Sequence, residues 1–131
     1  MIRPQRMLSS AVLNDPANRE TLRAMAGLVV DEQMIQLCTV EAMEQIAAWD
    51  ETFAPELLIA YAMADTRISA HAVEAEGGAF FSHARWYNVA FRCDLSADRK
   101  EVAAFEFRVG EAIPKSEWEA HDLPSGGGHL D

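Results

Sequence analysis

The sequence predicts an α+β domain: N-terminal helices packed on one face of an antiparallel β-meander, closed by a short C-terminal helix. Three observations lead there. Apolar residues in the first third recur with a helical period, those beyond about residue 57 alternate with a period of two, and the two patterns follow one another without interleaving. Segregated helices and strands favour layered α+β packing over a parallel sheet. The chain has 131 residues, half of them hydrophobic and 24% charged, which suits one globular domain and is too short for two of ordinary size.

Residues 1–14 read as a loosely held arm. Arg3 and Arg6 give it the basic start of an export signal, but Ser9 and Ser10 interrupt its apolar stretch. The domain proper is expected over 15–123. Asp15-Pro16 marks a helix start, because aspartate caps exposed N–H groups and proline at the first helical position gives up a donor without a partner. Leu22, Met25, Ala26, Val29 and Val30 then follow the spacing of a buried helical stripe, which Gly27 weakens. A second helix is expected over 31–49, with Ile35, Cys38, Ala42, Ile46 and Trp49 on one face and Glu41, Glu44, Gln45 and Ala48 on the other. The sequence leaves open whether the two helices are continuous or break near Thr39.

Phe53-Ala54-Pro55 ends the helical region. Short strands are expected over 57–62 and, more weakly, 68–73, with Gly77-Gly78 as punctuation. Phe80 and Phe81 open another strand before a turn at His83-Ala84. The clearest strand covers 85–93, where Tyr87, Val89, Phe91 and Cys93 point one way and Trp86, Asn88, Ala90 and Arg92 the other. Residues 101–109 repeat the alternation through Ala103, Phe105, Phe107 and Val109. A hairpin centred near Asp98 would pair Phe91 with Phe105, Val89 with Phe107 and Cys93 with Ala103. Ser116 three residues before Glu119 resembles a capping box, which predicts a terminal helix over 114–121. Residues 124–131, with Gly126-Gly127-Gly128, read as a disordered tail.

Charge narrows the partners. Eleven Lys and Arg against 21 Asp and Glu give a net charge of −10, which argues against nucleic acid and against an anionic membrane surface. No apolar run approaches the roughly 18 residues of a membrane span. No Lys or Arg occurs between Ala24 and Thr66, so the negative charge is concentrated on the helical half.

Several segments together resemble a known family. Leu37-Cys38-Thr39-Val40-Glu41-Ala42-Met43-Glu44-Gln45-Ile46 carries its helical signature. Phe53, Pro55 and Tyr61-Ala62 follow, then Gly78-Ala79-Phe80, Arg85-Trp86-Tyr87, Phe91 and Cys93. Gly110, Ile113-Pro114 and Glu117-Trp118-Glu119-Ala120-His121 complete the pattern. Over 37–123 the chain resembles the DUF930 family, small alphaproteobacterial proteins or C-terminal domains, mainly from Rhizobiales. The family carries no assigned activity, so the resemblance implies no mechanism. Similar members often have an export signal or membrane anchor and a proline-rich linker ahead of the domain, and the present sequence shows neither.

The two cysteines are the most informative pair of side chains. Cys38 lies on the apolar face of the second helix and Cys93 on that of the best strand, so packing helix on sheet directs both sulfurs into one layer. A disulfide is favoured over two separate buried thiols or a reactive pair, and it would place the protein in an oxidising compartment. A periplasmic address is accordingly favoured from the cysteines and the resemblance, and a cytoplasmic one if the visible start is native. Glu117 and His121, one helical turn apart, could offer two ligands to a metal, but His71, His83 and His129 add no ligand spacing, so no metal is expected. Glu41 and Glu44 could pair as catalytic carboxylates; the simpler expectation is a solvated face, with a salt link to Arg85 or Arg92 as an option. The chain contains no nucleophile elbow, and its triple glycine lacks the strand and helix of a phosphate loop.

Trp86 shares a sheet face with Arg92 and, across the hairpin, Arg108. That grouping suits a recognition spot, although burial of Trp86 under Trp118 is favoured. The reading is therefore a non-catalytic envelope-type module that binds a protein or a small ligand, with no cofactor and no catalytic residue assigned. Its candidate contacts are Trp86, Arg92, Arg108, Glu44 and His121, and its state is monomer or homodimer. The alternatives are a small hydrolase or isomerase using Glu44 or His121, and an acidic inhibitor or immunity-type protein that blocks a basic partner.

Overall fold

The computed structural model describes residues 1–125; residues 126–131, including His129 and most of the expected tail, lie outside the described residues. Three helices, α1 (Ser9–Leu13), α2 (Arg19–Ala26) and α3 (Val30–Trp49), precede five strands: β1 (Leu57–Ile59), β2 (Arg67–Ile68), β3 (Ala72–Ser82), β4 (Arg85–Leu95) and β5 (Val102–Ala112). The strands form one antiparallel sheet in the order β1-β3-β4-β5, with β2 also paired to β3. The α+β class is therefore the one its sequence periods imply.

The sheet is covered on one face and, at one end only, on the other. α3 lies on one, where Met34, Ile35, Leu37, Cys38, Ala42 and Ile46 pack against Val73, Phe80, Val89, Phe91, Phe105 and Phe107. On the other face Ala79, Phe81 and Trp86 pack against Ile113, Trp118 and Leu123 of the C-terminal segment. Adjacent Phe80 and Phe81 enter different layers because successive strand side chains point to opposite faces.

The helical third settles one open question and corrects the sequence reading elsewhere. α3 runs without a break through Thr39; the interruption is at Gly27, the C-cap of α2. Gln33 Nε2 closes this corner by donating to the carbonyls of Ala26 and Leu28. The stripe of Leu22, Val29 and Val30, expected in the core, is exposed, and α2 has no fully buried residue. Asp15 does cap the start, accepting the Ala17 N–H at 2.9 Å, although the turn it opens is a 3-10 turn, Pro16–Asn18, ahead of α2. Residues 1–14, expected to be a loose arm, pack against the domain: Ile2 forms a bridge to Phe107, and Ser9 and Leu13 are buried.

The strands equal the apolar runs in number but not in length: β1 and β2 are shorter, and β3, β4 and β5 are longer. Gly77-Gly78 does not end a strand but lies inside β3 as a bulge. A side chain at Gly77 would meet the backbone of Met63 and Ala64, where the loop crosses closely enough for Met63 N–H to donate to the Gly77 carbonyl at 2.7 Å. β3 and β4 join through a two-residue turn at His83 and Ala84, both with positive φ, the twist that tight hairpins need. The β4–β5 register differs by two residues from the expected one: Phe91 faces Phe107, Val89 faces Val109 and Cys93 faces Phe105. The cause is at the turn, where the register shifts between Asp94 and Leu95 and Arg99 adopts a left-handed conformation. A slip of two preserves which face each side chain occupies, so Phe105 and Phe107 stay buried, but the further shift at Leu95 puts Val102 in the core and leaves Ala103 exposed.

The expected C-terminal helix is instead a pair of 3-10 turns, Lys115–Glu117 and Glu119–His121, neither capped by a side chain. What fixes it is Trp118, whose indole N–H donates to the Ile113 carbonyl at 2.9 Å.

Candidate functional site

The side chains singled out from the sequence do not converge. Trp86 is fully buried and its indole N–H donates to the Pro124 carbonyl at 3.0 Å. It is a core residue of the C-terminal layer, which removes it as a recognition contact. Arg92 pairs with Glu74 and with Asp94, the latter at 3.2 Å, and these carboxylates, Asp94 first, raise its pKa. Arg108 is exposed on the neighbouring strand, opposite Ala90. Glu44 is half-buried on α3, whereas His121 belongs to the C-terminal segment on the other side of the sheet. Glu117 and His121 fall in successive 3-10 turns, and among the described residues no three His, Cys, Asp or Glu side chains form a metal-holding group.

Cys38 and Cys93 do meet, as a disulfide that ties α3 to β4. Glu41 overturns an expectation. It is not solvated but fully buried, because the N-terminal arm covers that face of α3. Its carboxylate accepts the N–H of Leu8 at 2.9 Å, the N–H of Ser9 at 3.0 Å, the Ser9 hydroxyl at 2.7 Å and Gln45 Nε2 at 2.7 Å. A carboxylate can be buried when its lone pairs are filled in this way.

A groove of about 470 Å³ opens between the three helices and the β4–β5 turn. Leu13 of α1, Leu22, Met25 and Ala26 of α2, and Leu37 of α3 form its apolar walls. Arg99, Lys100 and Glu101 line it from the turn, with Ser10, Asn14 and Gln33 as further polar groups. The turn is held in place rather than free. Asp98 accepts the Lys100 N–H at 3.0 Å and the Ser96 hydroxyl at 2.8 Å, and both bonds hold its carboxyl below the usual range. Arg99 Nε donates to the Ala70 carbonyl at 2.6 Å.

A volume of this size falls within the range that small-molecule pockets span. Sequence reasoning missed it because Leu22 and Met25 read as core and Arg99-Lys100 as a polar turn. The mismatch that could have revealed it, an apolar helical face without a partner, exists only in three dimensions.

The family model described as Domain of Unknown Function (DUF930) matches residues 25–123. The chain belongs to the DUF930 family. The DUF930 match takes in α3, all five strands and the Trp118 cover, and it starts after α1 and most of α2. The groove of this member is thus built jointly by family-matched residues and by residues ahead of the match. No curated protein and no solved structure matches the chain. Among the described residues no helix is long and apolar enough to cross a membrane.

Proposed function

We propose that this DUF930 protein is a non-catalytic binding module of the cell envelope, and that the groove between its helices and the β4–β5 turn holds a small amphipathic ligand with an anionic group. The observation that carries the reading is the pairing of apolar walls with Arg99 and Lys100 in a protein of net charge −10. Neither cation forms a salt bridge among the described residues. An apolar tail would lie along Leu13, Leu22, Met25 and Leu37, while a carboxylate or phosphate met the two side chains of the turn. The envelope address draws support from the disulfide, since such bonds persist in oxidising compartments.

The hydrolase or isomerase alternative gains nothing from the groove, which neither Glu44 nor His121 lines. Nor does the inhibitor alternative, since cations at a groove select an anionic ligand rather than a basic partner. The test titrates ¹⁵N-labelled protein with dodecanoate and, separately, with dodecanol. Shifts centred on Leu22, Met25, Leu37 and Lys100, at least about tenfold tighter binding of the carboxylate, and loss of that preference in Arg99→Glu/Lys100→Glu are expected. Equal affinity for the alcohol, or shifts outside the groove, would refute the reading.

A further inference from the structure

The N-terminal arm is held as a bound peptide is held. Ile2 exchanges both backbone hydrogen bonds with Phe107 on β5, its N–H donating at 2.7 Å and its carbonyl accepting at 2.9 Å. Arg3 pairs with Glu106 at 3.2 Å. Gln45 Nε2 donates to the Arg6 carbonyl at 2.7 Å, and Glu41 takes the N–H groups of Leu8 and Ser9 together with the Ser9 hydroxyl. Every partner on the domain side lies on α3 or β5, within residues 25–123 matched by the family model, and every partner on the arm lies ahead of that match. Residues 1–14 contain two arginines and no acid, complementary to an acidic domain.

We infer that this α3–β5 face is a peptide-recognition slot, that the arm is its occupant in cis, and that the slot takes, in trans, a basic peptide with an unmodified Leu-Ser step at the start of a helical turn. The β5 contact is a single antiparallel bridge, which reads backbone and not sequence. Specificity comes from Glu41. Its buried carboxylate requires a hydroxyl donor at 2.7 Å and turns away a phosphoserine, whose charge it would face without water between them. The arm therefore blocks the slot until it is displaced.

The probe is a fluorescent peptide of residues 1–14. A protease site is inserted in the 131-residue chain between Asn14 and Asp15, both exposed, and the folded protein is cut. Labelled peptide should exchange into the cut protein at one per chain. The Ser9→Ala peptide should compete at least about tenfold less well, as loss of a hydrogen bond to a charged group implies. The peptide phosphorylated at Ser9 should not compete at about 100-fold excess. Competition by all three peptides alike would overturn the slot, as would failure of the labelled peptide to enter. Collapse of the cut protein when its arm leaves would also overturn it, since the arm would then be part of the fold.

Discussion

Cys38, in the middle of α3, and Cys93, near the end of β4, are bonded with their Cα atoms 6.0 Å apart. The bond passes through the layer where helix meets sheet, and both residues are fully buried. It closes a loop of 55 residues, for which the chain-entropy model gives about 4 kcal/mol of stabilisation through the unfolded state. Replacing both cysteines by alanine should lower the unfolding free energy by roughly that amount, read from urea midpoints. Because the native packing is dense at this point, the variant should keep the far-ultraviolet dichroism of the parent at low urea. Coincident midpoints for the two proteins would show that the bond constrains nothing.

That pairing was legible because it rests on parity alone. Once 85–93 reads as a strand, Cys93 must share a face with Val89 and Phe91, and helical spacing puts Cys38 with Ala42 and Ile46. The same reasoning failed for Glu41 and Leu22 for a common cause. Each sits on a helix face whose neighbour is set by tertiary packing: the arm covers the polar face of α3, while on α2 only Met25 reaches the core and Leu22 is left exposed. The β4–β5 register failed by two residues because a turn's bulge is decided by backbone geometry at Asp94, Leu95 and Arg99, which side-chain pattern does not encode. Of the candidate site, the two cations and the apolar residues were visible singly, and their convergence was not.

Trp86 separates a core role from a surface role. Its ring lies 5.2 Å from that of Phe81, and its side chain is sealed by the C-terminal segment. Trp86→Ala should cost about 3–5 kcal/mol, the range for removing a large buried aromatic, while Arg108→Ala should stay within about 0.5 kcal/mol as an exposed substitution. Thermal or urea unfolding of the two variants measures this directly. A Trp86→Ala protein as stable as the parent would show that the C-terminal cover does not close over the sheet.

Gly77 is required for space. A Cβ there would stand 2.6 Å from the Ala64 nitrogen and 2.9 Å from the Ala64 Cβ, and backbone cannot give way as the end of a flexible side chain can. Gly77→Ala should therefore lower stability by about 1–3 kcal/mol, the usual effect of overpacking. Gly27→Ala provides the control. Its Cβ would meet only the Ala24 carbonyl oxygen at 3.6 Å, so it should be neutral or slightly stabilising. Equal urea midpoints for the two variants would contradict the close crossing of the loop over β3.

The β4–β5 turn should titrate below the ordinary carboxylate range. The Lys100 N–H, then the Ser96 hydroxyl, hold the Asp98 pKa beneath its usual 3.8. Between the two values the unfolded chain binds the proton and the folded one does not, so acid favours unfolding. The turn's contribution is complete above pH 3.8 and is lost as pH falls through the folded value. A carbon-detected NMR titration of the Asp98 carboxyl should give a midpoint below 3.8 in the parent and a higher one in Ser96→Ala. A midpoint unmoved by Ser96→Ala would mean that the hydroxyl does not reach the carboxylate in solution.

The groove and the arm share a wall, and this couples them. Ser10, Leu13 and Asn14 line the groove, while Leu8 and Ser9, just before them, are held by Glu41. A molecule with the arm undocked has lost the α1 side of the groove, so a groove ligand binds the docked form better. Linkage then requires the ligand to favour docking by the same factor that docking favours the ligand. If the undocked form does not bind at all, ligand at 100 times its Kd shifts the equilibrium by about 100-fold. Hydrogen exchange at the Leu8 and Ser9 amides reads this equilibrium, because both protons are bonded to the carboxylate only when the arm is seated. Saturating dodecanoate should slow their exchange by up to about 100-fold and leave exposed amides such as that of Glu51 unchanged. In Glu41→Gln, where the arm is held less firmly, dodecanoate should bind more weakly although residue 41 does not line the groove. Unaltered exchange at Leu8 and Ser9 under saturation would show that α1 stays in place by its own packing and that the two sites act independently.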